Sequence, residues 1–168
     1  MSKAFANIEK LCLDALHNGN GDVCCFAKKG CTYISDSYAI WAFPDGYELG
    51  KSFVKYPLNI ELEDKLYNLV EKYRKVEPIL PLQPSGESTI TRGYTASKYD
   101  NWNTGCEAWI QDKYIVLFEP FAPEFCVYPD WEEGKPIIVV ANDELFGLIM
   151  PMHIIEEIKA KKDQRTLL

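Results

Sequence analysis

The sequence predicts an α+β single domain, an antiparallel sheet with helices packed against it, on three observations. Segments 3–17 and 59–75 repeat apolar residues at helical spacing. Between and after them come short apolar or alternating runs joined by turn-forming residues, as in antiparallel hairpins. The chain has 168 residues, 47% of them apolar, which suits one domain with a substantial core and argues against disorder.

The first helix, 3–17, places Phe5, Ile8, Cys12, Ala15 and Leu16 on one stripe and Lys10, Asp14 and His17 largely off it. Asn18-Gly-Asn-Gly21 supplies a left-handed stop. A strand over 22–27, a turn at Lys28-Lys-Gly30 and a partner strand over 31–35 form a hairpin. Extended chain continues over 38–43 until Pro44-Asp-Gly46 turns it. Asn59 caps the second helix, whose apolar stripe is Leu62, Leu66, Leu69, Val70 and Tyr73. Its acids, Glu61, Glu63 and Asp64, crowd the start and its bases, Lys72, Arg74 and Lys75, the end, as the helix dipole prefers.

Glu77-Pro-Ile-Leu-Pro-Leu-Gln-Pro-Ser-Gly86 then reads as a stiff, proline-rich connection whose leucines pack locally. Helix and connection together, 59–86, form a candidate insertion within the single domain 1–168. Residues 88–94 alternate as a strand, with Thr89, Thr91 and Gly93 opposite Ile90, Arg92 and Tyr94. Lys98-Tyr-Asp-Asn-Trp-Asn-Thr-Gly105 reads as a loop, 106–110 as extended chain or the approach to a helix, and 113–118 as a helix. Strands over 125–128, 136–140 and 145–150 build a three-stranded antiparallel unit. Residues 154–162 close as a helix with Glu157 and Lys161 at i,i+4 spacing, making 154–168 an extra C-terminal helix and tail. No internal repeat recurs at a fixed period.

Charge and motif content narrow the function. A net charge of −7 argues against a general nucleic-acid binder, whose affinity comes from Lys and Arg neutralising phosphates. No apolar stretch approaches the roughly 20 residues that span a bilayer. The opening Met-Ser-Lys-Ala-Phe-Ala-Asn-Ile-Glu lacks the apolar core of a signal peptide, so a cytoplasmic location with reduced thiols is expected. The six cysteines, at 12, 24, 25, 31, 106 and 126, contain no Cys-x-x-Cys. Adjacent Cys24 and Cys25 point to opposite faces of a strand, so no metal and no cofactor is expected.

No glycine loop for phosphate, nucleophile elbow or His-Glu-x-x-His occurs, and Cys106 beside His17 or His153 is the thin remaining basis for an enzyme. The carboxylate pairs Glu132-Glu133 and Asp143-Glu144 sit on predicted turns as solvated charge. No catalytic residue is assigned, and a non-enzymatic protein is expected. Tyr94, Tyr99, Trp102 and Trp109, in and beside an irregular loop, are candidate partner anchors, with Trp102 read as exposed and Trp109 as buried.

The most informative run is Lys135-Pro-Ile-Ile-Val-Val-Ala-Asn-Asp-Glu-Leu-Phe-Gly-Leu-Ile-Met-Pro-Met-His-Ile154. Two apolar strands flank the turn Ala141-Asn-Asp-Glu144, and Pro151, which has no N–H, stops the ladder or lies at an edge. Two thioethers beside a rigid ring make an adaptable apolar surface suited to short peptides; the same methionines also suit a core hairpin as gap fillers. This run resembles the end of the bacterial sliding clamp, the DNA polymerase III beta subunit. There a closely similar Met-Pro-Met-Arg-Leu ends the last domain and helps line the cleft that holds peptides from polymerases and repair proteins. The matching positions are Met150, Pro151, Met152, His153 and Ile154. Asp112-Lys-Tyr-Ile-Val-Leu-Phe is similar to the start of that domain's second helix, 125–128 to the strand after it, and 135–150 to the closing hairpin. A helix followed by a hairpin ending Tyr33-Ile-Ser-Asp-Ser-Tyr-Ala-Ile40 resembles its first half.

The resemblance implies a DNA-clamp-like topology and an interaction module of replication or mobile-element biology. It would bind a short segment of a protein or peptide partner in an apolar cleft around Ile149, Met150, Pro151, Met152 and His153. The chain has length for one such domain where a ring needs several, so a ring implies a homo-oligomer. Its helices lack the basic excess that would line a DNA hole, Lys3 and Lys10 being offset by Glu9 and Asp14, which weighs against DNA contact. His153 stands where the family has a permanently basic residue. The alternative, from another class, is an acidic inhibitor that imitates DNA's charge and docks on a basic surface of a host enzyme.

Overall fold

The computed structural model describes residues 3–19, 23–44, 60–75, 79–141 and 145–154. Helix α1 (Lys3–His17) buries Phe5, Ile8 and Cys12, the centre of the expected stripe. It stops where Asn18 and Gly19 donate N–H to the carbonyls of Asp14 and Leu16, with Gly19 at φ +66°. Strands β1 (Cys24–Lys28) and β2 (Cys31–Ser35) form the expected hairpin. Lys29 and Gly30 both take positive φ, 47° and 78°, the turn whose twist matches that of the flanking strands. Strand β3 (Ala39–Phe43) is followed by helix α2 (Ile60–Arg74), which buries Val70 and Tyr73.

Three strands come next, β4 (Leu80–Thr91), β5 (Tyr94–Asn101) and β6 (Cys106–Gln111). Helix α3 (Asp112–Phe118) runs into a 3-10 turn at Glu119–Phe121, and β7 (Glu124–Val127), β8 (Ile137–Ala141) and β9 (Leu145–Ile149) follow. All described strands join one sheet in the order β1-β2-β3-β9-β8-β7-β4-β5-β6, every pairing antiparallel. The protein is thus α+β, as its sequence predicts.

Period-two alternation divides the central sheet between two cores. Ala39, Trp41 and Phe43 of β3 and Ile137, Val139 and Ala141 of β8 pack with α1 and α3. Ile40, Ala42 and Ile138 pack on the other face with α2. Helices on both faces explain why every residue of β3 is buried, a pattern that alternation with solvent would not give. On the first face Trp41 stacks on Phe118 at 5.3 Å between ring centroids, and Phe5 meets Phe43 edge-on at 5.0 Å.

The topology repeats although the sequence does not. A helix followed by three strands occurs as α1-β1-β2-β3 and again as α3-β7-β8-β9. The two strand triplets meet through the antiparallel β3–β9 pair, so the order β1-β2-β3-β9-β8-β7 maps onto itself when the triplets are exchanged. Both helices of the repeat enter the same core.

Three expectations need correction. The proline-rich stretch is strand, not loop: Leu80, Pro81 and Leu82 pair with β7, and Gln83 and Pro84 with β5. Pro81 and Pro84 each lie where the strand has a main-chain partner on one side only, so the missing N–H breaks no ladder. Residues 88–94 are not one strand, because Arg92 and Gly93, at φ 50° and 80°, turn the chain into β5. Residues 98–101 belong to β5, leaving a turn at 102–105, since pairing with β6 extends to Asn101↔Cys106. The Asn59 cap, Asp45 and Gly46, the turn residues 142–144 and the closing helix from 155 onward lie outside the described residues.

Candidate functional site

The Met-Pro-Met corner begins where β9 ends. Ile149 is fully buried, paired with Ala39 on one side and Ile137 on the other, so it belongs to the core. It cannot line a cleft, and that expectation is withdrawn. Central position in the sheet, with helices over both faces, is the reason.

Beyond Ile149 the chain leaves the ladder and opens. Met150 is 38% exposed, Pro151, Met152 and Ile154 are half-buried, and His153 is exposed. Two main-chain hydrogen bonds of 2.8 Å hold this segment: Met150 N–H donates to the Tyr38 carbonyl, and Met152 N–H to the Trp109 carbonyl. Pro151, lacking an N–H, stands between them. The corner therefore bridges the turn before β3 and strand β6, the far edge of the sheet. The backbone is thus preorganised, and a thioether is by nature a flexible side chain.

The contacts bring in a residue that sequence reasoning missed. Tyr38, whose side chain is exposed at 60%, lies against the corner through its carbonyl. Its position is set by Asp36, a buried carboxylate whose Oδ1 accepts the N–H groups of Tyr38 at 3.1 Å and Ala39 at 3.0 Å. Asp36 Oδ2 accepts the Tyr114 hydroxyl at 2.8 Å. Burial first, then the Asp36 charge, pushes the Tyr114 phenol well above its ordinary value, so it donates as a neutral group. An Asp two residues before a Tyr was the available signal, an Asx turn that fixes the main chain after it.

Of the four aromatics singled out, Trp102 is 89% exposed, as expected, and Tyr94 is 52% exposed. Trp109 is half-buried where the sequence suggested core, because β6 is an edge strand with fewer neighbours to cover it. His153 Nδ1 meets Glu133 Oε1 at 2.5 Å, so one carboxylate of the Glu132-Glu133 pair is engaged by the corner.

Burial governs four of the six thiols. Cys24 packs on the α2 side and Cys25 on the α1 side, the opposed facing expected of strand neighbours. Burial pushes the Cys24 thiol up to about 12 and the Cys126 thiol up to about 11, and raises Cys12 and Cys25 as well. These thiols are protonated at neutral pH and are poor nucleophiles. Among the described residues no disulfide forms, and no three His, Cys, Asp or Glu side chains converge as a metal site requires. No described helix is long and apolar enough to cross a membrane.

A scan against protein-family models and searches of curated proteins and of solved structures each returned no match.

Proposed function

We propose that this protein is a non-enzymatic interaction module that presents the corner formed by Tyr38, Met150, Pro151 and Met152 to a short segment of a protein partner, in replication or mobile-element biology. The observation that carries this reading is the combination of part-exposed thioethers with a backbone pinned at both Met150 and Met152. Adaptable side chains on a fixed frame suit the capture of short apolar anchors at low ordering cost. The doubled helix-plus-three-strand arrangement supports it too, since the resemblance places a helix with its strands in each of two halves.

The test is a titration of a fluorescein-labelled peptide of the kind sliding clamps bind, followed by anisotropy. Replacing Met152 with Asp puts a charge into the apolar patch and should weaken binding at least about tenfold, while the circular-dichroism melt stays in place. Undiminished binding by Met152→Asp defeats the reading. The acidic-inhibitor alternative makes the contrary prediction, a complex indifferent to Met152 that dissolves steeply as salt rises.

A further inference from the structure

A groove that shares no lining residue with the corner runs between β4, β5 and α3. Its first stretch, about 440 Å³, is lined by Pro81, Pro84, Pro123, Tyr99, Ile115 and Phe125 among others. Its second stretch, about 320 Å³, continues past the β4 bulge at Gly86, and the two share Pro84, Tyr99 and Ile115. Proline and ring side chains have little rotamer freedom to lose, so the groove is preformed.

Its charge is one-sided. Glu119 and Glu124 line the first stretch and Glu87 and Asp112 the second, against a single lysine, Lys98. That lysine is already held between Glu87 at 3.2 Å and Glu107 at 2.9 Å. Asp112 accepts the Ser97 hydroxyl at 2.7 Å. Glu119 and Glu124 are exposed and enter no ion pair among the described residues.

Trp102 lies outside the groove's lining, on a turn tied to its Pro81 end. Asn101 Oδ1 accepts the N–H groups of Asn103 at 3.1 Å and Thr104 at 3.2 Å, which fixes the turn that carries the indole. Asn101 Nδ2 donates to the Pro81 carbonyl at 2.9 Å and ties that turn to the Pro81 end. A water-exposed indole on a fixed turn is a ready face for a cation.

We propose that this groove docks a short extended segment of a partner protein that carries arginine between apolar residues. The guanidinium groups are taken by Glu119, Glu124 and the face of Trp102, and the apolar side chains by the proline and ring floor. Charge complementarity selects this occupant. A nucleic acid would bring phosphates to uncompensated carboxylates, and a second copy would bring a net charge of −7.

The experiment follows anisotropy of a fluorescein-labelled peptide, Pro-Leu-Arg-Pro-Leu-Arg-Pro, and of its counterpart with Glu in place of Arg. The arginine peptide should bind and the glutamate peptide should not. Trp102→Ala and the double change Glu119→Gln with Glu124→Gln, all at exposed positions, should each weaken binding about tenfold. Met152→Asp should leave this binding unchanged, which separates the groove from the corner. Equal binding of the two peptides, no binding of the arginine peptide, or affinity unmoved by both variants overturns the proposal. So does light scattering that reveals a dimer dissolved by Trp102→Ala, because a second copy would then be the occupant.

Discussion

Gly147 shows at the scale of one residue how tightly the first core is closed. A Cβ there would lie 2.7 Å from Phe118 Cε1 and 2.8 Å from the Ile40 carbonyl oxygen. The aromatic ring has little room to retreat, because Phe118 is fully buried and stacked on Trp41. Gly147→Ala is therefore expected to destabilise the fold by about 1–3 kcal/mol, read as a lower urea midpoint at unchanged slope. An unchanged midpoint would mean that β9 can shift away from α3. Two positions on, Ile149 faces the same core, while Met150 is free of the ladder. One step along the chain separates a packed side chain from an exposed one, and that step sets Ile149 apart from the four other residues expected at the cleft.

Among the elements, α3 is held by polar contacts as well as by its apolar face. Tyr114 of α3 reaches Asp36 in the turn between β2 and β3, joining the second half of the repeat to the first. Tyr114→Phe keeps the ring and removes the donor, leaving a buried carboxylate oxygen with one hydrogen bond fewer. The expected loss is about 1–3 kcal/mol in the same urea assay. Tyr114 is itself buried, out of a peptide's reach, yet Asp36 also orients Tyr38. The variant should therefore weaken peptide capture at the corner as well, and unchanged anisotropy titrations would show that Tyr38 keeps its place without the Tyr114 hydroxyl. Strand β4 teaches a different lesson. Its prolines announced a loop by composition, yet the strand changes neighbours from β7 to β5 along its length, so their missing donors fall where nothing waits for them.

For the molecule as a whole, burial of ionisable groups sets its response to alkali. Burial, the leading cause in each case, raises the Cys24 thiol from 9.0 to about 12 and the Cys126 thiol from 9.0 to about 11. It also raises the Tyr33 and Tyr128 phenols from 10.0 to about 12. The unfolded chain releases these protons from pH 9 upward while the folded chain keeps them, so the native state binds more protons and stability falls with rising pH. This contribution is complete below pH 9 and is lost progressively toward about 12. Urea midpoints measured across that window should decline steadily; a flat or rising profile would show that these groups are solvated in the native state.

Helices α1 and α2 and the β1–β2 hairpin were legible in the amino-acid order alone, because stripes such as Phe5, Ile8 and Cys12, and turn pairs such as Lys29-Gly30, act over a few residues. The α+β class and the exposure of Trp102 followed from the same local patterns. What only the tertiary structure decided were relations between distant segments. The burial of Ile149 depends on β3 and β8 flanking it, and the strand state of Pro81 and Pro84 on which side of β4 is left open. Tyr38 joins Met150, and Asn101 joins Pro81, through hydrogen bonds that no local pattern contains. Local propensity is encoded residue by residue, whereas a shared surface exists only once the sheet has chosen its neighbours.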